Sequence, residues 1–377
     1  MPQTQDFDLK LNKVFISKIK LTNFRNFSQA TYNISKNICA LVGDNGVGKT
    51  NILEAISLCA PGRGLRNSKI EEFENINSAE YFNGFNINID FQHNERQYNF
   101  STAKLENSNS RIFNLDNNKL NKQADIAKYL NLLWLTPLYD SIFTAPKSER
   151  RKFFDRIIFN LNPEHLQNLQ RYEYYLKERM NILLNYGVSS SWLETIENKL
   201  AELNSAIAFT RVETIRYLNN ELEDLDAKYP KALLFFQDGF EKMYLDKIAT
   251  IKIEKTAKDL LTENRSNDLL KKQTHIGIHK TDFSCFYVEK NINSLYCSTG
   301  EQKSLLASIF IALAKLLCKI NGKTPILLLD EVLSHLDKSN ATSFINDLKK
   351  LNIQTIMTGT DKKFFSSIKD IEIIELS

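Results

Sequence analysis

Apolar residues in this chain of 377 residues recur with two periods, and the points where one gives way to the other divide it. Over residues 14–21, β-branched and aromatic residues interleave with Ser17, Lys18 and Lys20, which predicts a strand running into Asn23-Phe24-Arg25-Asn26-Phe27. Residues 30–34 repeat the pattern. Ile38-Cys39-Ala40-Leu41-Val42 is continuously apolar, and Ile52, Ala55, Ile56 and Cys59 behind it step at helical spacing. Residues 85–91 and 97–102 alternate as strands around a polar turn near Asn94, whereas residues 107–121, rich in Asn and Ser, read as a loop.

Past Trp134-Leu135-Thr136-Pro137 the period becomes helical, beginning with Ser148-Glu149-Arg150-Arg151-Lys152. Leu166, Leu169, Tyr172, Leu176, Met180 and Leu183 step by three and four over residues 163–185. A second such run covers 192–225, and the short turn 187–191 makes the pair an antiparallel helical arm. Residues 230–253 return to strand-like runs, 256–272 are helical, and Ser298-Thr299-Gly300-Glu301-Gln302-Lys303 opens a helix that Asn321-Gly322 stops. The run Pro325-Ile326-Leu327-Leu328-Leu329 fits a strand buried on both faces of a parallel sheet, and residues 353–357 and 371–376 add further strands.

This is an α/β pattern with an inserted, mainly helical lobe. The expected boundaries are a flexible polar leader over 1–13, one part of the α/β unit over 14–145, the helical lobe with short strands over 146–270, and the remainder of the α/β unit over 271–377.

Composition narrows the picture only slightly. A formal charge of +4 permits nucleic-acid binding without requiring it, so any basic surface must be local. The five cysteines are far apart, with no C-x-x-C pair, and fit reduced thiols inside a cytoplasmic protein. The five histidines show no metal-ligand spacing. No apolar run approaches the roughly 18 residues of a membrane span, and the first residues lack the features of a signal peptide. The expectation is a soluble, cytoplasmic protein without a membrane partner.

The chemistry centres on Gly43-Asp44-Asn45-Gly46-Val47-Gly48-Lys49-Thr50, which reads G-x-x-x-x-G-K-T between a predicted strand and a predicted helix. Such a loop wraps backbone N–H groups around a polyphosphate at a helix N-terminus, Lys49 reaches the outer phosphates, and Thr50 can hold Mg²⁺. Asp330 and Glu331 end their apolar strand where ligands of open α/β sheets bind. One carboxylate there can serve the Mg²⁺ shell and the other can polarise a water; in isolation, two acids after a strand are equally a helix N-cap. Ser298 and Gly300 at a helix start are either an ordinary capping box closed by Glu301 or a second anion site. Since the chain has one phosphate loop, the second reading puts that site over a nucleotide held by another copy.

Taken together, the phosphate loop, the Ser298-Thr299-Gly300-Glu301-Gln302 signature, the Leu327-Leu328-Leu329-Asp330-Glu331 strand and Ser334-His335-Leu336-Asp337 resemble the ATP-binding-cassette heads of SMC-type DNA ATPases. The opening strand through Asn26-Phe27, the run Arg150-Arg151-Lys152-Phe153-Phe154-Asp155, the short arm and the length narrow the resemblance to the RecF family over residues 14–377.

That resemblance implies an ABC-type, SMC-like head with a phosphate-loop mixed sheet, ATP and Mg²⁺ as cofactors, an ATP-dependent homodimer, and slow, DNA-dependent ATP hydrolysis. It implies binding of single-stranded, gapped or duplex DNA, partnership with RecR and RecO in loading RecA, and a place in recombinational repair, replication restart and the SOS response. Residue by residue, Gly43 to Thr50 bind phosphates, Asp330 serves Mg²⁺ with Thr50, Glu331 is the base, Ser298, Gly300, Glu301 and Gln302 complete the partner's site, and Asp337 lies at the seam. Two departures stand out. Thr360 falls where such ATPases usually carry a switch histidine, and Thr136-Pro137-Leu138-Tyr139-Asp140 contains no glutamine for a Q-loop.

For DNA, the basic candidates are Arg63, Arg66 and Lys69 after the loop helix, and Arg150, Arg151 and Lys152 at the root of the arm. A solvated helix face, or in Arg150 and Arg151 a brace between lobes, is the other reading of the same charges. The competing functional classes are the ATPase subunit of a transporter, against which the inserted arm argues, and an SMC-like chromosome-organising subunit, which needs far longer arms.

Overall fold

The structure, a computed structural model, describes residues 13–75, 84–105, 110–120, 123–226, 228–322, 324–332 and 338–377. It divides into two compact units. The first runs to Asp140 and resumes at Ala314, and the second is Ser141–Leu313.

The first unit opens with strands β1 (Val14–Phe24), β2 (Phe27–Asn33) and β3 (Ile38–Val42), followed by helix α1 (Lys49–Ser57). Strands β4 (Phe85–His93), β5 (Arg96–Lys104), β6 (Arg111–Leu115), β7 (Asn118–Lys119) and β8 (Leu132–Leu135) complete its N-terminal part. In the second unit, helices α2 (Lys147–Leu161), α3 (Glu164–Tyr186) and α4 (Trp192–Glu223) precede β9 (Ala232–Phe236). Helices α5 (Gly239–Leu245), α6 (Thr250–Glu263) and α7 (Arg265–Lys271), then β10 (Phe283–Tyr287) and β11 (Ile292–Asn293), lead to α8 (Thr299–Asn321), whose last turns count with the first unit. The chain ends with β12 (Ile326–Leu329), α9 (Lys338–Lys350), β13 (Gln354–Gly359), α10 (Lys362–Ser366) and β14 (Glu372–Glu375).

The strands of the first unit form two sheets. One is antiparallel in the order β2-β1-β4-β5-β6-β7; the other is parallel throughout in the order β14-β3-β13-β12-β8. Alternation, stepped by one residue at a bulge between Ile16 and Lys18, decides which face of the first sheet is buried: Val14, Ile16, Ile19 and Leu21 of β1 and Phe85, Ile87, Ile89 and Phe91 of β4 point inward. They meet Ile52 and Ile56 of α1 and Cys39, Leu41, Leu328 and Ile356 of the parallel sheet. β3 and β12 are buried at every residue, which is why they read as unbroken apolar runs. One buried side chain ties the sheets: Gln354 accepts the Ile16 N–H through Oε1 at 2.7 Å and donates through Nε2 to the Ile16 carbonyl at 2.8 Å.

In the second unit α3 and α4 are the expected antiparallel pair, turning through Gly187. Two fully buried arginines fasten the arm to the helices around it. Arg179 donates to Glu197, Asp268, Thr274 and the Leu261 carbonyl, and Arg211 to Asp155, Glu241 and the Ile278 carbonyl. Removing one partner of such a pair leaves a buried charge uncompensated, at about 3–5 kcal/mol.

Three expectations are corrected. Residues 111–119, read as part of a loop, form the β6–β7 hairpin, because Arg111 to Leu115 pair with β5 and Asp116 and Asn117 both adopt the left-handed backbone of a two-residue turn. Residues 239–253 are α5 and the start of α6 rather than strand. Their apolar residues, among them Phe240 and Ile253, bury one helical face against α4. Finally, residues 271–313 belong to the second unit: β10 pairs with β9, Ile278 joins the arm's core, and Phe283 stacks on Phe154 at 4.5 Å.

Candidate functional site

β3 delivers the chain to Gly43 at the end of a wholly buried strand, and α1 begins at Lys49, so the intervening residues must turn sharply in the open. Gly48 takes φ of 105°, and a Cβ there would lie 2.6 Å from the Asn26 side chain and from the Phe27 ring. The Lys49 ammonium lies along the inside of the loop, 2.6 Å from the Gly43 carbonyl and 2.8 Å from that of Asp44. Both bonds fold the lysine back onto the loop's own carbonyls.

The loop is braced from the β1–β2 turn. Asn26 donates to the Val47 carbonyl at 3.1 Å and accepts from Asn51 at 2.8 Å. On α1, the fully buried Glu54 takes Arg25 through both oxygens, with Arg66 and Ser68 beside it. None of Asn26, Asn51 or Glu54 belongs to the loop motif. Of the three, only Asn26 falls in a stretch the sequence marks, Asn23-Phe24-Arg25-Asn26-Phe27, and there only as a strand end.

β13 lies between β3 and β12, bringing three chain segments to one edge. There the Thr50 hydroxyl donates to Asp330 Oδ1 at 2.8 Å, and the Thr358 hydroxyl donates to the same oxygen at 2.9 Å. Glu331 follows with a positive φ of 54°, its N–H donating to Thr358 Oγ1 at 2.9 Å. The sequence-predicted pair of acids is thus joined to the loop threonine, and Thr358 is a member that the motifs did not mark. Thr360 is exposed just past β13, while the neighbouring Gly359 backs onto the Phe365 ring.

The signature residues lie in the second unit, at the start of α8. Glu301 Oε2 accepts from the Ser298 N–H at 2.7 Å and from the Ser298 hydroxyl at 2.9 Å, a capping box in geometry, and Lys290 pairs with the other carboxylate oxygen. The Lys290 ammonium, with the Ser298 bonds, holds the Glu301 carboxyl down at about 2. Gln302 turns inward and donates to the carbonyls of Ser294 and Cys297. Gly300 is exposed, and a side chain there would meet open space.

Comparison with known proteins settles the ancestry. The family described as "RecF/RecN/SMC N terminal domain" matches residues 15–375. The DNA replication and repair protein RecF of Rickettsia akari (strain Hartford) is 37% identical over 351 residues, 93% of this chain and 96% of that one. The RecF of Rickettsia prowazekii (strain Madrid E) is 37% identical over 354 residues, with the same coverage. The chain belongs to the RecF family.

Its fold agrees. The solved structure of the recombination mediator protein RecF-ATPrS in the RecFOR pathway superposes with a TM-score of 0.83 at 23% identity, covering 97% of each chain. An Smc head bound to the C-terminal winged-helix domain of ScpA gives 0.56 at 16% identity, covering 96% of this chain and 94% of that one. The RecF fold here is the ABC-type, SMC-like ATPase head with an inserted helical lobe.

The basic candidates separate by environment. Arg63 and Lys69 are exposed, whereas Arg66, although exposed, is engaged with Asn51 and Glu54. Arg150 grips Asp282 with three hydrogen bonds of 2.7–2.9 Å, and Arg151 donates to the Thr281 carbonyl, so both act within the second unit. Lys152 is exposed and pairs with Glu149. Asp337 and the three residues before it, like the leader up to residue 12, lie outside the described residues. Among the described residues, no helix is long and apolar enough to cross a membrane, no cluster of His, Cys, Asp and Glu is built to hold a metal, and all five cysteines are buried.

Proposed function

We propose that the chain is an ATP-driven switch that closes as a homodimer on DNA in recombinational repair and replication restart. The observation that carries this reading is the meeting of Thr50, Asp330, Thr358 and Glu331 at the mouth of the phosphate loop. Solved RecF structures with ATP support the choice of nucleotide.

In this reading the loop peptides and Lys49 hold the β- and γ-phosphates. The Thr50 hydroxyl and the Asp330 carboxylate, 2.8 Å apart, are the hard oxygen donors that Mg²⁺ takes. When bound, Mg²⁺ neutralises charge on the outer phosphates. Glu331 accepts a proton from the water that attacks the γ-phosphorus as the bond to the ADP oxygen breaks. The Ser298–Gly300 turn of a second copy covers the γ-phosphate with its N–H groups and hydroxyl. For its hydroxyl to do so, Ser298 must exchange Glu301 for phosphate.

Hydrolysis is slow and DNA-dependent, and it resets the switch. Single-stranded, gapped or duplex DNA is gripped through phosphates, with the exposed Arg63 and Lys69, and Lys152 on release from Glu149, as candidate cations. RecR and RecO are the partners, RecA loading and the SOS response the setting, and the cytoplasm the place. Thr360 takes the switch position at the γ-phosphate.

The test is the mass in solution with and without ATP, for the wild type and for Glu331→Gln. A dimer that persists with ATP in Glu331→Gln and retains gapped DNA supports the reading; monomers under all four conditions overturn it.

A further inference from the structure

Thr358 belongs to neither nucleotide motif, yet its hydroxyl joins them. It is 2% exposed, within a strand whose six residues are all buried. A backbone N–H can only donate, so Thr358 Oγ1 accepts from Glu331, and its single proton goes to Asp330 Oδ1. Both capacities of the hydroxyl are therefore used in fixed directions. The Asp330 oxygen that receives this proton also receives that of Thr50, the first turn of the phosphate-loop helix.

Glu331 holds the left-handed backbone region, which a side-chain-bearing residue adopts only when its surroundings impose it. The bond from its N–H to Thr358 is such a constraint. Rotating that peptide away would break the bond, leave a buried hydroxyl short of a donor, and redirect the Cα–Cβ bond of Glu331. The aim of the carboxylate thus depends on a hydroxyl 27 residues further along the chain.

Resting on the ATPase reading, we propose that Thr358 is a positioning residue for ATP hydrolysis. Through the Glu331 amide it fixes the backbone that aims the base, and through Asp330 it ties that backbone to the phosphate-loop threonine.

The experiment uses the full chain and five variants: Thr358→Val, which keeps the shape and removes both hydrogen bonds, Thr358→Ser, Glu331→Gln, the double variant Thr358→Val/Glu331→Gln, and Lys49→Ala as the baseline without a loop lysine. Steady-state ATP turnover is measured beside the affinity for a fluorescent ATP analogue and the thermal midpoint. The expected result is a turnover loss on the order of tenfold to a hundredfold in Thr358→Val, with analogue affinity held within about twofold. Thr358→Ser should recover most of the turnover, and Thr358→Val should cost nothing further in the Glu331→Gln background.

Equal losses of affinity and turnover, a serine variant as slow as the valine one, or losses that multiply with Glu331→Gln would each overturn the proposal in favour of a merely structural threonine. If the wild type turns over no ATP faster than Lys49→Ala, the ATPase reading itself falls. If the wild type turns over and Thr358→Val matches it, only the positioning role falls.

Discussion

Arg25 clasps Glu54 from the turn between two antiparallel strands: its Nε and Nη2 each lie 2.8 Å from a different oxygen of a carboxylate that no solvent reaches. Geometry of this kind is bidentate and rigid, so the β1–β2 turn and the phosphate-loop helix move as one body. Arg25→Ala leaves Glu54 buried with only Arg66 and Ser68 to offset it. The expected cost is about 3 kcal/mol, read as a lower urea midpoint with the slope unchanged. Replacing the pair together, Arg25→Met with Glu54→Leu, should cost less than Arg25→Ala alone.

The two basic clusters should behave as different kinds of residue. Arg150→Ala removes a bidentate partner from the largely buried Asp282 and should lower the stability of the arm unit by about 2–4 kcal/mol, while the salt dependence of DNA binding keeps its slope. Arg63→Ala and Lys69→Ala should leave stability within about 0.5 kcal/mol and reduce the slope of log affinity against log salt by roughly one each. Unchanged DNA affinity in both of these variants would remove that surface from the interface.

His279 gives the arm a predictable acid response. A carbonyl can only accept, so Nε2 donates to the Thr274 carbonyl at 2.9 Å, and Nδ1, 2.8 Å from the Tyr172 hydroxyl, accepts its proton. Burial, aided by Lys280 and Arg151, pushes the imidazole down to about 4 from 6.5. The unfolded chain therefore binds this proton first as pH falls. Stability from the neutral ring is complete above about 6.5 and is lost between there and about 4, to a total of about 3 kcal/mol at most. His279→Asn should flatten that part of the stability–pH curve; an unaltered curve would show that the ring titrates alike in both states.

Gly43 is held for space rather than for backbone freedom. A Cβ there would lie 2.4 Å from the Leu376 carbonyl oxygen, and Leu376 itself donates to the Val42 carbonyl at 2.8 Å. Gly43→Ala must push β14 off β3, with an expected loss of about 2–4 kcal/mol. Amide exchange should localise the damage, with the Leu376 N–H losing protection in the variant while the arm helices keep theirs.

Much of the head was readable from local pattern. An unbroken apolar strand, a glycine-rich turn and a helical stripe predict the phosphate loop without any distant contact, and β3 and β12 are buried as such runs require. The arm was equally plain, since α3 and α4 carry their apolar residues at helical spacing. What stayed hidden depends on partners far along the chain. Thr358 falls just past the predicted strand until β13, which runs on to Gly359, sets it beside Asp330, and nothing local marks Glu54 until Arg25 covers it. Asparagines masked the alternation of β6, and the density of Ile, Phe and Tyr over 239–253 imitated strand where helical burial had gathered it.

The placement of β3 has a consequence for how the protein is made. Both of its neighbours, β13 and β14, lie beyond the whole of the second unit in the chain, so a ribosome must translate through and past that unit before the phosphate-loop strand can be flanked. The second unit, by contrast, is continuous from Ser141 to Leu313 and can condense while the remainder is still being translated. Nucleotide competence is thereby deferred until β13 and β14 have been made, and a nascent chain carries a formed arm before it carries a working ATP site.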